Sequence, residues 1–461
     1  MKAARILFIN PDPRRFAGCN ISLLGILDGL DRARFDPVVA IPAKSEFGSL
    51  LSSRGIELFE FELNGWWYPT PAHFHRMVAG LRSRVDSLVR LIREKGVEIV
   101  CTNAEYSYEG AFAAALCGVP HVLCMRPPFN HHLDIFRHFP LSPTALGEAM
   151  DRLSDVIVVD CIKQLKSFPA SVPKDKLRVI ESGIEIPAEL KPRETARQEM
   201  GSRLGLPADS QIVMNVCRMS PEKDLVTFLN TAHSVIKEYP ENLHFIHLGT
   251  QTATAYAAEM FALVEKLGLR NRFHHIDVTD SIYDLMRAAD VFLFTSNNYE
   301  GLARVCAEAM LVEVPVVSTR CGGPEDYLVN SQTGYLTDVA DVEGLARHVL
   351  YLLRHPDEAR LMGARSRPLI TEKYAMHRMN ALWMELFDEL IEKPKSSSLN
   401  TLPLELFINV LTQIGLTGAS ASTQGEQLSK LEGWLAPVKH NMVMRTLRHI
   451  KRLTSRQDNI A

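Results

Sequence analysis

The sequence lacks the features that define several common classes of protein. No apolar run in its 461 residues reaches the roughly 18–20 residues that a membrane-spanning helix needs. The eight cysteines include no CxxC pair and no zinc spacing, and several lie inside apolar runs, which predicts reduced core cysteines. No G-x-G-x-x-G follows the first apolar run, which disfavours a nicotinamide-dependent enzyme. The net charge of -3 does not favour a nucleic-acid partner, so we expect a soluble cytoplasmic protein.

Short apolar runs typical of buried strands alternate with helical patterns along most of the chain. The first strand is predicted at residues 5–9, where Asn10 and Pro11 end the apolar run. Such alternation favours parallel sheets covered by helices on both faces. The predicted fold class is therefore α/β, with two Rossmann-like doubly wound domains that face a cleft near the carboxyl ends of the strands. In the second half, strands are predicted at 211–216, 243–248, 291–294 and 314–318.

Composition divides the chain into five parts. Residues 1–182 form an N-terminal domain, 183–207 a polar linker, 208–375 a C-terminal domain, 376–392 a crossing helix, and 393–461 a second linker with a helical basic tail. The tail has an apolar helix candidate at 404–416 and a basic one at about 438–456. The six Lys and Arg residues of the basic candidate could lie on an anionic membrane surface, contact a partner or simply be solvated.

The most informative stretch is residues 290–315, where a predicted strand leads through a polar loop into a helix. Glu300 precedes the helix and Glu308 lies within it, so both carboxylates can face the same cleft. The free amides of residues 301–304 would form an anion site, and Gly301 leaves room for a ligand to approach the backbone. Together these groups could hold a sugar, a diphosphate and a ribose. The alternative is a pair of ordinary glutamates, one solvated and one on a helix face.

A second stretch, residues 213–229, carries two cations beside the start of another helix. A strand is predicted to end at Cys217, and a helix opens at Ser220 and Pro221. Arg218 and Lys223 flank this loop. Two cations at the carboxyl end of a strand suit a diphosphate and the negative charge that develops on a leaving group. Considered alone, this stretch would instead be interpreted as two solvated surface cations.

Both stretches together resemble the donor domain of the retaining glycosyltransferases of family 4, the glycosyl transferases group 1, which have the GT-B fold. The resemblance is dense over residues 210–375, whereas the N-terminal half matches only by pattern. The residues that carry it are Arg218, Lys223, Gly249, 289–292, Ser296, Glu300, 308–310, 315–317, 322–325 and Gly334.

The resemblance implies a hexosyltransferase-type enzyme that moves a sugar from a nucleotide-diphosphate donor, such as a UDP-sugar, to a hydroxyl acceptor with retention. Arg218 and Lys223 would bind the diphosphate and stabilise the leaving nucleotide. Glu300 would contact the donor sugar, and Glu308 would bind the ribose hydroxyls. Neither a separate nucleophile nor an essential metal or other cofactor is implied, because the two cations supply the charge stabilisation. The remaining residues implied in donor binding are Gly249, Gly301, Leu302 and Ala303.

The N-terminal half departs from the family at the positions that would face the acceptor. Gly18 stands in the first loop without the usual second glycine, and it would still permit close approach of a ligand. Arg126 stands where the family often has a histidine, and it could orient an acidic acceptor or the donor phosphate, or be an ordinary loop residue. Asn103 could bind the acceptor or cap a turn. Asp277 replaces a common glycine beside the nucleotide base, so the base stays open.

Three kinds of acceptor and three other functions stay open. The acceptor could be a growing surface polysaccharide, a lipid-linked sugar or a small molecule. A nucleotide-sugar epimerase or a phosphorylase would use the same fold for a different reaction, and an epimerase would need no acceptor. A non-catalytic GT-B scaffold would retain the fold, use the tail to recruit partners and bind no nucleotide.

Overall fold

The computed structural model describes residues 2–15, 17–62, 78–104, 107–126, 150–239, 242–251, 254–277, 282–297, 300–392 and residue 408. The two tail helices predicted at 404–416 and 438–456 therefore lie outside the described residues, apart from residue 408. The chain divides into two compact units. Unit 1 comprises the described residues of Met1–Asp160, of Gln164–Ile180 and from Asn380 onward, and unit 2 comprises those of Cys161–Lys163 and Glu181–Met379.

Unit 1 is built on a seven-stranded parallel sheet with the order β3-β2-β1-β4-β5-β6-β7. The order reverses between the neighbouring strands β1 and β4, and in doubly wound sheets ligands bind at such a point, beyond the carboxyl ends of the strands. The strands are β1 (Ala4–Ile9), β2 (Phe35–Ile41), β3 (Glu57–Glu60), β4 (Ile99–Thr102), β5 (His121–Met125), β6 (Val156–Val159) and β7 (Leu177–Val179).

Helices cover this sheet because its central strands are apolar on both faces and cannot be left in water. The final helix of the described chain adds Phe387, whose ring packs edge-on against Phe35 at 5.8 Å and Phe8 at 6.2 Å between centroids. The first five helices are α1 (Gly18–Gly29), α2 (Glu46–Ser53), α3 (Leu81–Lys95), α4 (Glu109–Cys117) and the short α5 (Ile162–Leu165).

Unit 2 is built on a six-stranded parallel sheet with the order β10-β9-β8-β11-β12-β13. Its order reverses between β8 and β11, whose register places Val213 beside Val291. The two stretches singled out in the sequence follow these two strands, so they lie at the same edge of the sheet. The strands are β8 (Gln211–Val216), β9 (Leu243–Leu248), β10 (Phe273–Ile276), β11 (Val291–Phe294), β12 (Val316–Thr319) and β13 (Gly334–Thr337).

The segment interpreted as a polar linker contains a helix, α6, that belongs to unit 2. Its Ala196 and Met200 are buried in the core of that unit, while Arg193 and Arg197 each form an ion pair of 2.9 Å with Asp290. The other helices are α7 (Leu225–Glu238), α8 (Thr254–Lys266), α9 (Ile282–Arg287), α10 (Arg304–Leu311), α11 (Pro324–Tyr327), α12 (Val342–Arg354), α13 (Pro356–Lys373) and α14 (Met376–Glu392), with α6 at Arg193–Leu204.

Two pairs of histidines join β9 to the edge strand β10. His244 Nδ1 lies 3.0 Å from His274 Nε2, and His247 Nδ1 lies 3.0 Å from His275 Nδ1. Burial lowers the pKa of His247 from 6.5 to about 3 and that of His244 to about 4. Only one of two facing ring nitrogens can carry a proton, because that nitrogen donates and the other must accept. Each pair therefore carries at most one charge.

Acid is therefore expected to destabilise unit 2 before its carboxylates are protonated. The unfolded histidines take up protons near pH 6.5 and the folded ones only near pH 3 to 4. The free energy of unfolding should fall as the pH drops below 6.5, by up to roughly 1.4 kcal/mol per pH unit for each histidine. Urea denaturation at pH 7, 6 and 5 measures this slope. His247→Gln should make it shallower, whereas the exposed His377→Gln should not, and equal slopes in all three proteins would contradict the assignment.

Candidate functional site

The loop after β8 places a buried cation through a short turn and an unusual residue. A 3-10 turn at Pro221–Lys223 leads into Asp224, whose φ of 48° is left-handed. Asp224 caps α7, because its carboxylate accepts a hydrogen bond of 3.1 Å from the Thr227 amide. Capping by Asp is worth about 1 kcal/mol, which helps to offset the cost of the left-handed backbone. Lys223 is therefore held at a fixed point next to the start of the helix.

The loop after β11 packs directly against the loop after β8. The Thr295 hydroxyl donates to the Asp224 carbonyl at 3.0 Å, and the Ser296 hydroxyl donates to the Glu222 carbonyl at 3.0 Å. These bonds join residues more than 70 positions apart in the sequence, as the adjacent strands β8 and β11 require. The two sequence stretches therefore form one structural site in unit 2.

Lys223 and Glu300 form the centre of this site. Lys223 Nζ lies 2.5 Å from Glu300 Oε1, which also accepts a hydrogen bond of 2.6 Å from the Ser296 hydroxyl. Both charged side chains are only 16% exposed. Burial lowers the pKa of Lys223, but the charge and hydrogen bond of Glu300 more than compensate, so the net pKa is raised. Lys223 is therefore a permanently charged group at the edge of the sheet.

Arg218 is also paired, with a carboxylate that the sequence analysis missed. Its guanidinium lies 2.9 Å from Glu222 Oε1, which accepts a further hydrogen bond of 2.5 Å from the Ser220 hydroxyl. Burial raises the pKa of Glu222, but the Ser220 hydrogen bond and the cations Arg218 and Lys223 outweigh it, and the net pKa is lowered. Arg218 itself is 41% exposed, which leaves it accessible to a ligand. The i,i+4 spacing was the only sequence signal for Glu222.

Glu308 lies in α10 with a second partner that the sequence analysis missed. Its side chain is 9% exposed, and Arg304, one turn earlier, lies 3.2 Å from its Oε1. Arg304 also donates to the Gly183 carbonyl. The start of the helix has no side-chain cap, because Ala303, with a φ of 53°, occupies the N-cap position. Leu302 and Ala303 are buried, so their backbone rather than their side chains is the part that a polar ligand would contact.

Gly249 and Gly323 of unit 2 are required by close contacts between loops. A Cβ at Gly249, where φ is 155°, would lie 1.7 Å from the Cys217 carbonyl oxygen. Gly249 therefore lets the end of β9 approach the end of β8, and its predicted contact with the donor stays a prediction. After β12, the Gly323 amide donates to the Glu300 carbonyl at 3.3 Å. A Cβ at Gly323 would lie 1.9 Å from the Gly301 carbonyl oxygen.

Gly323→Ala is expected to destabilise unit 2 and to displace the loop that carries Glu300. The added Cβ meets backbone rather than a flexible side chain, so the loop itself must move, and overpacking of this kind typically costs about 1–3 kcal/mol. Urea denaturation measures the loss. Gly201→Ala in α6 is the matched control, because a Cβ there would meet its nearest atom at an ordinary 3.5 Å. Equal stability of the two variants would show that the contact at Gly323 is not restrictive.

In unit 1, the structure brings Asn103 and Arg126 together at the carboxyl ends of the central strands. Arg126 donates to the Asn103 side-chain oxygen at 2.6 Å and forms an ion pair of 2.9 Å with Asp160. The Asn103 amide in turn donates to Asn10 at 2.8 Å. Gly18 lies in the first turn of α1, where a Cβ would meet nothing within 4 Å. Arg126 is thus part of a polar network rather than an isolated loop arginine.

In unit 2, Asp277 follows β10 with a carboxylate that is 83% exposed, 3.3 Å from His275 Nε2. Within the described ranges, no group of three or more His, Cys, Asp and Glu side chains is arranged to hold a metal ion. Nor does any helix of these ranges combine the length and the apolar character that crossing a membrane requires.

The site of unit 2 therefore combines three cations and three carboxylates beside free amides. Each cation of the site is paired with one carboxylate at 2.5–3.2 Å. Such an arrangement can bind a ligand that is anionic at one end and rich in hydroxyl groups at the other. The cations would meet the anionic part, and the carboxylates would accept hydrogen bonds from the hydroxyl groups.

A family model matches the part of the chain that carries this site. Residues 196–368 match the model of the family described as glycosyl transferases group 1. The matched region contains Arg218, Lys223, Glu300 and Glu308, and it coincides with most of unit 2. This region, less than half of the chain, is similar to that family.

Three curated relatives of the chain have names that describe enzymes. It is 22% identical over 201 residues to the N-acetyl-alpha-D-glucosaminyl L-malate synthase of Bacillus anthracis, a match that covers 44% of this chain and only 51% of that enzyme. It is 27% identical to the alpha-maltose-1-phosphate synthase of Mycolicibacterium smegmatis over 60% of this chain and 75% of that enzyme. It is 24% identical to the D-inositol 3-phosphate glycosyltransferase of Corynebacterium urealyticum, over 68% and 77% of the two chains.

Solved structures confirm the fold class. Anabaena HepE in complex with UDP and glucose superimposes with a TM-score of 0.70 and 20% identity, covering 84% of this chain and 100% of that one. The sucrose-phosphate synthase of Thermosynechococcus elongatus gives a TM-score of 0.67 and 17% identity, with 84% and 99% coverage. The predicted α/β class with two Rossmann-like units, the GT-B fold, is therefore confirmed. At these identities the similarity concerns the fold alone.

Proposed function

We propose that this protein is a retaining glycosyltransferase of family 4 that moves a hexosyl group from a nucleotide-diphosphate sugar to a hydroxyl acceptor. The observation that carries the proposal is the cluster of Lys223, Glu300 and Ser296 between β8 and β11. Arg218 lies on one side of this cluster in the sequence and Glu308 on the other, in the order and spacing that the family uses. The paired cations and carboxylates suit the two chemically different ends of such a donor.

Donor binding would redistribute the contacts of the central ion pair. The diphosphate binds Lys223 and the exposed Arg218. Glu300 accepts hydrogen bonds from the hydroxyls of the sugar in addition to its contact with Lys223. Gly249 and the backbone of Gly301, Leu302 and Ala303 border the same ligand. Glu308 accepts hydrogen bonds from the ribose, and each bond to a charged group is worth roughly 1.5–3 kcal/mol.

In the reaction, the bond between the anomeric carbon and the diphosphate breaks while the acceptor oxygen attacks from the same face of the sugar. The leaving phosphate takes the proton of the acceptor hydroxyl, so no separate protein nucleophile is needed. Lys223 and Arg218 stabilise the negative charge that develops on the phosphate, which is the part that a metal ion plays in other transferases. We accordingly propose that the reaction needs no metal or other cofactor.

Unit 1 would select the acceptor. Its polar network of Asn103 and Arg126, with the open space at Gly18, lies at the switch point of its sheet, where doubly wound folds bind ligands. The named products of two relatives carry a malate or a phosphate group, which supports an acidic acceptor for Arg126. A glycan, a lipid-linked sugar or a small molecule can each provide the hydroxyl group.

The experiment is a screen of nucleotide sugars for binding and slow hydrolysis, starting with UDP-sugars because HepE was solved with UDP. An acceptor screen with the bound donor follows, with the anomeric configuration of the product read by NMR. Transfer with retention that survives EDTA is the expected result. Conversion of the donor without acceptor, detected by mass spectrometry, would favour an epimerase. The absence of nucleotide binding by calorimetry would favour a non-catalytic scaffold.

The proposed place of action is the cytoplasm, at the inner face of the membrane. The protein works in the cytoplasm, and the six cations of residues 438–456 attract it to anionic lipid on the inner face of the membrane, at about 1 kcal/mol for each cation near the surface. Sedimentation with phosphatidylglycerol vesicles should retain the full chain at low salt. Equal binding to phosphatidylcholine vesicles, or none to either, would contradict an electrostatic contact.

A further inference from the structure

The backbone carbonyls before α10 face one neighbouring segment. Tyr327, at the end of α11, directs its hydroxyl at the carbonyl oxygens of Leu302 and Ala303, at 3.0 and 3.1 Å. The Gly301 carbonyl lies on the same segment, because a Cβ at Gly323 would be 1.9 Å from its oxygen. Three consecutive carbonyls thus point toward residues 322–327.

The amides of the same peptides consequently point the other way. The described chain has no cis peptide bond, and in a trans peptide the N–H and C=O groups are antiparallel. The amides of Leu302, Ala303 and Arg304 therefore face away from residues 322–327. These amides belong to Arg304, the first residue of α10, and to the two residues before it, where no side chain caps the helix. Successive amides on one side of a helix start form a concave site for anions.

Tyr327 is held in its protonated form, in which its hydroxyl can donate to these carbonyls. The side chain is 2% exposed, and burial raises the pKa of its hydroxyl well above the ordinary value, with the thiols of Cys306 and Cys321 adding to the effect. The ring of Tyr374 packs edge-on against it at 5.7 Å between centroids. A protonated hydroxyl in a fixed ring holds the Leu302 carbonyl, and it holds the Ala303 carbonyl together with the Cys306 amide, which donates to the same oxygen at 2.9 Å.

We propose that Tyr327 is a positioning residue that aims the amides of Ala303 and Arg304, whose peptide carbonyls it contacts, at the phosphate groups of the donor. Its hydroxyl does not touch the ligand but fixes the peptide planes that do. Donors arranged before binding need no reorganisation when negative charge develops, which makes them effective in catalysis. This inference rests on the proposed function for the identity of the anion, but the amides themselves can be tested with any diphosphate.

The test uses inorganic pyrophosphate and calorimetry on the full chain, with Tyr327→Phe and a matched variant, Tyr374→Phe. Both variants delete one buried tyrosine hydroxyl from the same ring pair. The Tyr374 hydroxyl has no hydrogen-bond partner among the described residues, so its loss leaves the carbonyls unchanged. We expect Tyr327→Phe to weaken pyrophosphate binding about three- to tenfold, the effect of about one hydrogen bond, and Tyr374→Phe to leave it unchanged.

The same titration with UDP, GDP, ADP and their nucleosides separates the two proposals. Weaker binding of pyrophosphate and of the preferred diphosphate in Tyr327→Phe, with unchanged binding of the nucleoside, supports the inference. Equal pyrophosphate affinity in wild type and Tyr327→Phe, or no affinity in wild type, overturns it. If pyrophosphate binds and weakens in the variant but no nucleotide binds more tightly than pyrophosphate, the inference stands and the proposed function fails.

Discussion

Lys223→Ala is expected to lower kcat/KM for the sugar donor by about 10²- to 10³-fold, the usual loss when one group that stabilises developing charge is removed. Lys223 is a largely buried cation of the site, with 16% of its side chain exposed and Glu300 at 2.5 Å. In the proposed reaction, the variant would lack one of the cations that stabilise the leaving diphosphate. Glu300 also loses its counter-charge, and an unpaired buried carboxylate disfavours the approach of an anionic ligand.

The measurement compares initial rates of transfer and calorimetric binding of the nucleoside diphosphate. Lys191→Ala is the matched control, because Lys191 is a half-buried lysine of unit 2 that pairs with Glu199 at 2.7 Å and Asp284 at 3.0 Å, away from the loops after β8 and β11. The double variant Lys223→Ala with Glu300→Gln separates the two losses, since it removes both charges. Turnover of Lys223→Ala at the wild-type rate would remove Lys223 from the reaction.

Strand positions could be predicted because a buried parallel strand leaves an unmixed apolar run in the sequence. The predicted strands at 211–216 and 243–248 coincide with β8 and β9. Helix α6 was missed because only Ala196 and Met200 of its twelve residues are buried, which is too few for a clear helical period. Its place in unit 2 depends on Arg193 and Arg197 meeting Asp290, nearly 100 residues later, and no local pattern carries such a contact.

The candidate site was predictable as a set of residues but not as a set of contacts. Arg218, Lys223 and Glu300 could be named because each lies in a loop between the end of a strand and the start of a helix, and Glu308 because it lies within the helix that follows Glu300. Their pairing could not, since the bond between Lys223 and Glu300 spans 77 positions and requires β8 to lie beside β11. The sequence did not single out Tyr327 either. A tyrosine that follows Gly322 and Gly323 and precedes a strand resembles any core residue.

Removal of the Glu308 carboxylate is the second large effect that we expect. Glu308→Gln should weaken binding of the preferred nucleoside diphosphate roughly 10- to 100-fold, since a hydrogen bond to a charged group contributes about 1.5–3 kcal/mol. The fold should survive, because Gln has the same shape and can still accept a hydrogen bond from Arg304, now at 3.2 Å. Calorimetry measures the affinity, and Glu313→Gln, which also removes a carboxylate paired with an arginine at 2.9 Å, is the control.

The assignment of Glu308 to the ribose hydroxyls can be tested more specifically than by loss of affinity alone. If Glu308 binds the ribose hydroxyls, wild-type protein should lose affinity for the 2′,3′-dideoxy form of the same nucleotide, whereas Glu308→Gln should lose little more, because the contact is already weakened. The two changes are then coupled rather than additive. Additive losses would mean that the carboxylate does not contact the ribose and has another role, for example as the counter-charge that orients Arg304. Arg304 also donates a hydrogen bond to the Gly183 carbonyl. That outcome would therefore mean that Glu308 stabilises the position of α10 and does not recognise the nucleotide.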